Sequence, residues 1–184
     1  MQSNNIKISV DLGCGMRKAV GNSSEWWYGV DIRPFKDVDF VLNIGKDKLP
    51  FEDDFVDFIR AIHLFEHLYP EELFFAVEEC WRVLKPTGCL HVEVPKAGTN
   101  AYYIHPDHKI QFMKDTFGFF QVPGNEEHVD PNGYLKGFWH VEVLENGNPE
   151  AITVEMYPNK PGGKYPYVEV FTIDNVGSKI NNKI

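Results

Sequence analysis

Two glycines at alternate positions close a β-rich run near the N-terminus. In Val10-Asp11-Leu12-Gly13-Cys14-Gly15 a strand ends in a carboxylate and passes into a Gly-x-Gly turn. Glycine there lets the backbone turn tightly and lets a ligand approach main-chain atoms. The dinucleotide fingerprint GxGxxG needs a third glycine three residues after Gly15, and Lys18 stands there instead. A nicotinamide-dinucleotide reading therefore fails on spacing, while a plain strand-to-loop turn stays open beside a ligand-binding one. Twenty residues beyond Asp11, Asp31 ends a second β-rich run. In doubly wound folds an acid at that tip accepts hydrogen bonds from ribose hydroxyls, a task suited to an acceptor-only group with two oxygens. The alternative is an acid that caps the turn before Pro34.

A second group of chemically able residues follows. His63, Glu66 and His67 have acid/base types, although Glu66 could instead tie the loop ahead of Pro70. His105-Pro106-Asp107-His108 offers two candidate general bases, His105 and His108, with Tyr102 and Tyr103 as substrate-contacting aromatics. The same segment reads equally as a loop of solvated histidines. His105, Asp107 and His108 are also metal-ligand types, but the sequence places no further ligand, so no metal is assigned.

Elements must hold these groups in place. Residues 6–12, 27–32, 38–43, 56–62 and 89–94 read as strands, apolar with little alternation. Such runs indicate strands buried on both faces, hence a mostly parallel sheet with helices outside. The clearest helix begins at Pro70, with Glu71 and Glu72 at its positive end and Leu73, Phe74, Val77, Trp81 and Leu84 on one face. Pro86-Thr87-Gly88 should stop it and turn into the fifth strand. Residues 107–120 could hold a helix broken near Gly118. Residues 137–144, 152–157 and 167–173 read as further strands, the first two joined by a hairpin turn at Asn146-Gly147. Residues 1–174 are expected to form one domain and 175–184 a flexible tail.

The 184 residues suit a single domain. Hydrophobic residues at 43% and charged residues at 24% exclude disordered, collagen-like and coiled-coil classes. No apolar stretch approaches the roughly 20 residues of a membrane helix, so no membrane insertion is expected. The polar first residues do not read as a secretory signal. Cys14, Cys80 and Cys89 are odd in number and widely spaced, which argues for a reducing cytoplasm over a disulfide framework. A net charge of −9, with 27 acidic against 18 basic side chains, argues against a large nucleic-acid footprint.

In order along the chain stand Gly13-Cys14-Gly15, Leu49-Pro50-Phe51 with the acids Glu52 to Asp54, Glu66-His67, and Arg82-Val83-Leu84-Lys85-Pro86-Thr87-Gly88. This ordered set resembles the small class I S-adenosylmethionine-dependent methyltransferases over about residues 6–95. The resemblance implies an α/β, doubly wound, mostly parallel sheet in a three-layer sandwich, with antiparallel strands at the C-terminal end. It implies S-adenosyl-L-methionine as cofactor and methyl transfer to an oxygen or nitrogen of a small-molecule acceptor. Asp11, Gly13 and Gly15 correspond to the loop holding the methionine part, and Asp31 to the ribose acid with Ile32 packed on adenine. Asn43 and Ile44 fall near the adenine, where the family usually has an Asp before the apolar residue. Ala61, Ile62 and His63 line the floor below the sulfonium. The chain lacks the Asp/Asn-Pro-Pro-Tyr/Phe segment of DNA amino-methylation. The short stretch after Gly15 cannot hold the usual long first helix. Asn43, this shortened loop and the unusual C-terminal tail also motivate a rival expectation, an inactive methyltransferase-like binding or scaffold module. Oligomeric state is left open.

Overall fold

The computed structural model describes residues 6–122 and 135–168, with strand backbone at 171–173 and 179–181. Tyr134 and the remainder of 175–184 lie outside the described residues.

Five strands run parallel: β1 (Lys7–Leu12), β2 (Glu25–Asp31), β3 (Phe40–Val41), β4 (Val56–Ile62) and β5 (Leu84–Pro95). Helix α1 (Pro70–Val83) joins β4 to β5, and a one-turn helix α2 (Asn100–Tyr103) follows β5. The antiparallel strands β6 (Trp139–Leu144) and β7 (Ala151–Pro158) complete a seven-stranded sheet of order β3-β2-β1-β4-β5-β7-β6. Strands β8 (Phe171–Ile173) and β9 (Lys179–Asn181) form a separate antiparallel ladder. The expected α/β class, mostly parallel with antiparallel C-terminal strands, is the one observed.

Alternation divides the sheet into two unlike faces. Val10, Leu12, Val30, Ile59, Ala61, Leu90, Val92, Val154 and Met156 share one face, and all are buried. They form one core with Leu73, Ala76, Val77 and Cys80 of α1. The opposite face carries Ser9, Asp11, Trp27, Phe58, Arg60, His91 and Glu155 in register across five strands. Among the described residues no helix covers it, because residues 13–24 and 32–39 are helix-free connections.

Helix α1 starts as the sequence predicts. Pro70 needs no amide partner in the first turn, and Glu72 accepts the Tyr69 N–H at 3.0 Å. Two elements differ from expectation. The turn expected at Pro86-Thr87-Gly88 is taken into β5 as a bulge, since pairing jumps from Val56↔Leu84 to Phe58↔Cys89. The helix expected within 107–120 is a 3-10 helix at Lys114–Phe120. Upstream of it the amides of Lys109 and Ile110 donate to the Glu66 carbonyl, which holds that stretch extended and leaves no amides for helical bonds.

Candidate functional site

The order β3-β2-β1-β4 places a reversal of strand order between β1 and β4. Ligands in open α/β sheets bind outside the carboxyl ends of strands at such a point. A cleft of about 480 Å³ lies there, within the range of small-molecule sites. Its wall is built from four strand-end loops: Gly13 after β1, Asp31 to Arg33 after β2, Leu42 to Ile44 after β3, and His63, Leu64, His67 and Leu68 after β4. Glu72, Asp107 and Lys109 close the rim.

The Gly-x-Gly turn is fixed by backbone geometry. Gly13 and Gly15 have φ of +66° and +55°, which L side chains adopt only under strain. A Cβ on Gly13 would also meet the Leu64 side chain at 2.8 Å, whereas one on Gly15 would meet nothing within 4 Å. Asp31 is buried and latches this turn. One carboxylate oxygen accepts the Gly15 N–H at 2.9 Å, and the other accepts the Arg33 N–H at 2.9 Å and Arg33 Nε at 3.4 Å. A carboxylate has about four lone-pair sites, so capacity for a ligand hydroxyl remains.

Asp11 is held differently. Arg60 grips both its oxygens at 3.0 Å, and the Ala19 N–H donates to one of them at 2.8 Å. Its carboxylate belongs to the helix-free face and does not line the cleft. Gly13, Asp31, Ile32, Asn43, Ile44 and His63 do line it. Gly15 reaches it only through the bond to Asp31, and Ala61 lies fully buried beneath, in the core. Ile32 is exposed, an apolar side chain presented to the opening. The Asn43 side-chain Oδ1 accepts the Gly45 N–H at 3.0 Å, and its main-chain N–H donates to the Asp47 carboxylate at 2.8 Å. Asn43 thus caps its own turn, with Asp47 supplying the carboxylate.

His63 has φ of +51°, a left-handed conformation for a non-glycine residue at the cleft wall. Glu66 beside it raises its pKa above the usual histidine value, against burial that lowers it, and Glu93 adds to the rise. The closest approaches are 3.4 Å from Nδ1 to Glu66 and 3.5 Å from Nε2 to Glu93.

The two candidate bases differ in setting. His105 is exposed. The His108 side chain is 4% exposed, and its Nδ1 meets the Tyr102 carbonyl at 2.7 Å. Since a carbonyl only accepts, Nδ1 carries the proton and Nε2 keeps its lone pair in the neutral ring. The His105 and His108 rings lie 5.2 Å apart. His67 and Asp107 join through Nδ1 and a carboxylate oxygen at 3.0 Å. Sequence reasoning missed Glu72 and Lys109 as rim residues and Leu64 as the packing partner of Gly13. The i, i+3 and i, i+4 spacing of His63, Glu66 and His67 was the available signal for this corner.

The comparisons with known proteins agree with this geometry. Residues 9–92 match the protein family described as a methyltransferase domain. No curated protein matches the chain's sequence. The structure is similar to an S-adenosylmethionine-dependent methyltransferase from Archaeoglobus fulgidus, at 18% identity over 84% of this chain and 87% of that one, with a TM-score of 0.57. It is similar to a protein from Pyrococcus horikoshii at 15% identity over 85% and 84%, with a TM-score of 0.55. It is also similar to a structure of the Haloferax volcanii methyltransferase activator Trm112 complexed with a methyltransferase, at 14% identity over 85% and 84%, with a TM-score of 0.53. At these identities the likeness is one of fold.

Proposed function

From a chain whose residues 9–92 carry a methyltransferase domain on the class I fold, with S-adenosylmethionine as its cofactor, we propose a transferase that methylates an oxygen or nitrogen of a small-molecule acceptor. The domain and the fold are those of an S-adenosylmethionine-dependent methyltransferase. The observation that carries the reading is the cleft at the strand-order reversal, with a buried Asp31 on its wall and the Gly13–Gly15 turn beside it.

We assign Asp31 to the ribose hydroxyls, Ile32 and Ile44 to the faces of the adenine, and Asn43 to its edge. Gly13 and Gly15 hold the methionine part, His63 stands at the sulfonium side, and Ala61 supports the floor. Asp11 acts indirectly, through Arg60 and Ala19, to hold the loop that follows Gly15. When bound, the cofactor supplies a methyl group already activated on a sulfonium. The protein's task is then positioning, worth up to about 7–11 kcal/mol in well-oriented systems. His105 and His108 are our candidates for receiving the acceptor's proton, in line with their place after β5 beside Tyr102 and Tyr103. The net charge of −9 and the acidic rim favour a small molecule over a nucleic acid. No described helix is long and apolar enough to cross a membrane. We place the protein in the cytoplasm, which suits three free, buried cysteines.

Calorimetry with S-adenosylhomocysteine, followed by an acceptor screen that reads its release from S-adenosylmethionine, tests the reading. Saturable binding that Asp31→Ala abolishes is expected, with His105→Ala binding normally but turning over more slowly. The helix-free connection after Gly15 favours one other reading, an idle scaffold. Absence of binding heat at millimolar ligand would establish the scaffold in its place.

A further inference from the structure

Glu66 is the most deeply buried acid near the cleft, at 0% exposure. Both of its carboxylate oxygens lack a hydrogen-bond partner among the described residues. Burying a carboxylate without hydrogen bonds is costly, so such a group calls for a cation. Three histidines converge on it: His63 Nδ1 approaches one oxygen at 3.4 Å from the half-exposed cleft wall, and His67 and His108 close in from the other side. One ligand atom each from Glu66, His67 and His108 fall within 4.8 Å of one another. The His67 and His108 rings meet edge to face, with centroids 4.8 Å apart.

The outer nitrogens of both rings are already tied. His67 Nδ1 pairs with Asp107 at 3.0 Å, and His108 Nδ1 donates to the Tyr102 carbonyl at 2.7 Å. Each neutral ring therefore keeps its lone pair on Nε2, and that of His108 faces Glu66 at 3.9 Å. A carboxylate or a carbonyl on the far nitrogen is the arrangement that orients metal-ligating histidines. The backbone adds rigidity, since Lys109 N–H donates to the Glu66 carbonyl at 2.7 Å and clamps the His108 segment against it.

We propose that Glu66, His67 and His108 form a site for a divalent transition cation, such as zinc or manganese, which receives a hydroxyl oxygen of the acceptor. Two imidazoles and one carboxylate suit such ions and leave at least one position open. Ligand distances of about 2.0–2.2 Å require these side chains to draw inward from their present separations of up to 4.8 Å. His67 and Asp107 line the cleft, so the open position faces the space where an acceptor would lie. A bound hydroxyl would be oriented and made more acidic there, and with His108 engaged as a ligand its proton would pass to His105 alone. The cation site stands on its own geometry, while the acceptor role rests on the methyltransferase reading.

The test uses the full chain, stripped with a chelator and titrated calorimetrically with zinc and with manganese. Cobalt absorption serves as the spectroscopic probe of nitrogen and oxygen ligation. One equivalent is expected to bind. Asp107→Asn should weaken it about 10–100-fold, and Glu66→Gln and His67→Gln by at least as much. His91→Gln on the helix-free face should leave it unchanged. His67 is partly exposed, so His67→Gln should fold, and an unaltered urea midpoint would confirm this. Absence of one-to-one binding, or affinity untouched by both His67→Gln and Glu66→Gln, overturns the site even where S-adenosylhomocysteine still binds. Metal binding with turnover indifferent to the chelator overturns the acceptor role alone. Absence of S-adenosylhomocysteine binding in an intact metal-binding protein would overturn the methyltransferase reading and leave the cation site standing.

Discussion

Asp11 and Asp31 are both buried carboxylates at strand ends, but their partners differ in kind. Asp31 bonds to the backbone of the loops that wall the cleft, so its loss should be felt by a ligand. Asp31→Asn keeps the shape and removes the charge. It should weaken S-adenosylhomocysteine binding about 10–100-fold, the worth of one or two charge-assisted hydrogen bonds. Asp11 faces a guanidinium across the sheet, and Arg60 keeps about a third of its side chain in water. Asp11→Asn should therefore cost about 1–3 kcal/mol in urea unfolding, less than a fully buried pair would, with affinity changed only slightly. A large affinity loss in Asp11→Asn would instead make Asp11 a direct ligand contact. At this scale the sequence was informative about residue type and silent about direction. Both acids follow the same strand-end pattern, and only the register of β1 with β4 turns Asp11 toward Arg60.

Helix α1 does more than cover the core, because it anchors the segment that leads into β6. Glu78 accepts the N–H groups of Lys136 and Gly137 at 2.8 and 3.0 Å, and Trp81 donates to the Phe138 carbonyl at 3.1 Å. Gly137 lies flat against the Trp81 ring, leaving no room for a Cβ. Gly137→Ala should destabilise the fold by about 1–3 kcal/mol, read as a lower urea midpoint. Leu73→Ala removes a buried anchor of α1 and should cost about 2–5 kcal/mol. The sequence pattern located α1, β4 and the β6–β7 hairpin because their apolar periods and end signals agree. It extended β3 too far, since the ladder with β2 holds Phe40 and Val41 alone, with the Asp39 and Leu42 amides bonding to β2 at its two ends. It could not foresee the extended run before Lys114, whose shape is set by a carbonyl more than forty residues away in sequence. The cation corner was hidden for the same reason. Glu66 and His108 become neighbours through tertiary contact alone.

At the scale of the molecule the three thiols set the alkaline limit of stability. Burial raises each above its ordinary value of 9.0, Cys14 to about 11 and Cys89 to about 12, with Cys80 raised also. A raised folded value contributes stability that is complete below pH 9 and is lost as the pH climbs beyond it. Lys160 acts in the opposite sense, since burial lowers its value below 10.5, but it is one group against three. Urea midpoints should therefore fall between neutral pH and about pH 10, and Cys80→Ala should reduce the stability lost by pH 10 by about 1.4 kcal/mol. An unchanged loss in Cys80→Ala would mean that its thiol stays solvated. The bare connection between β1 and β2 has a kinetic meaning as well. Met16 and Val20 stand out in solvent, and among the described residues no helix folds over the mouth of the cleft. A guest held without a cover exchanges with the bulk quickly. Departure of the spent nucleoside should then never limit the cycle, and a rapid-mix experiment should show the first turnover running at the steady-state rate, with no burst.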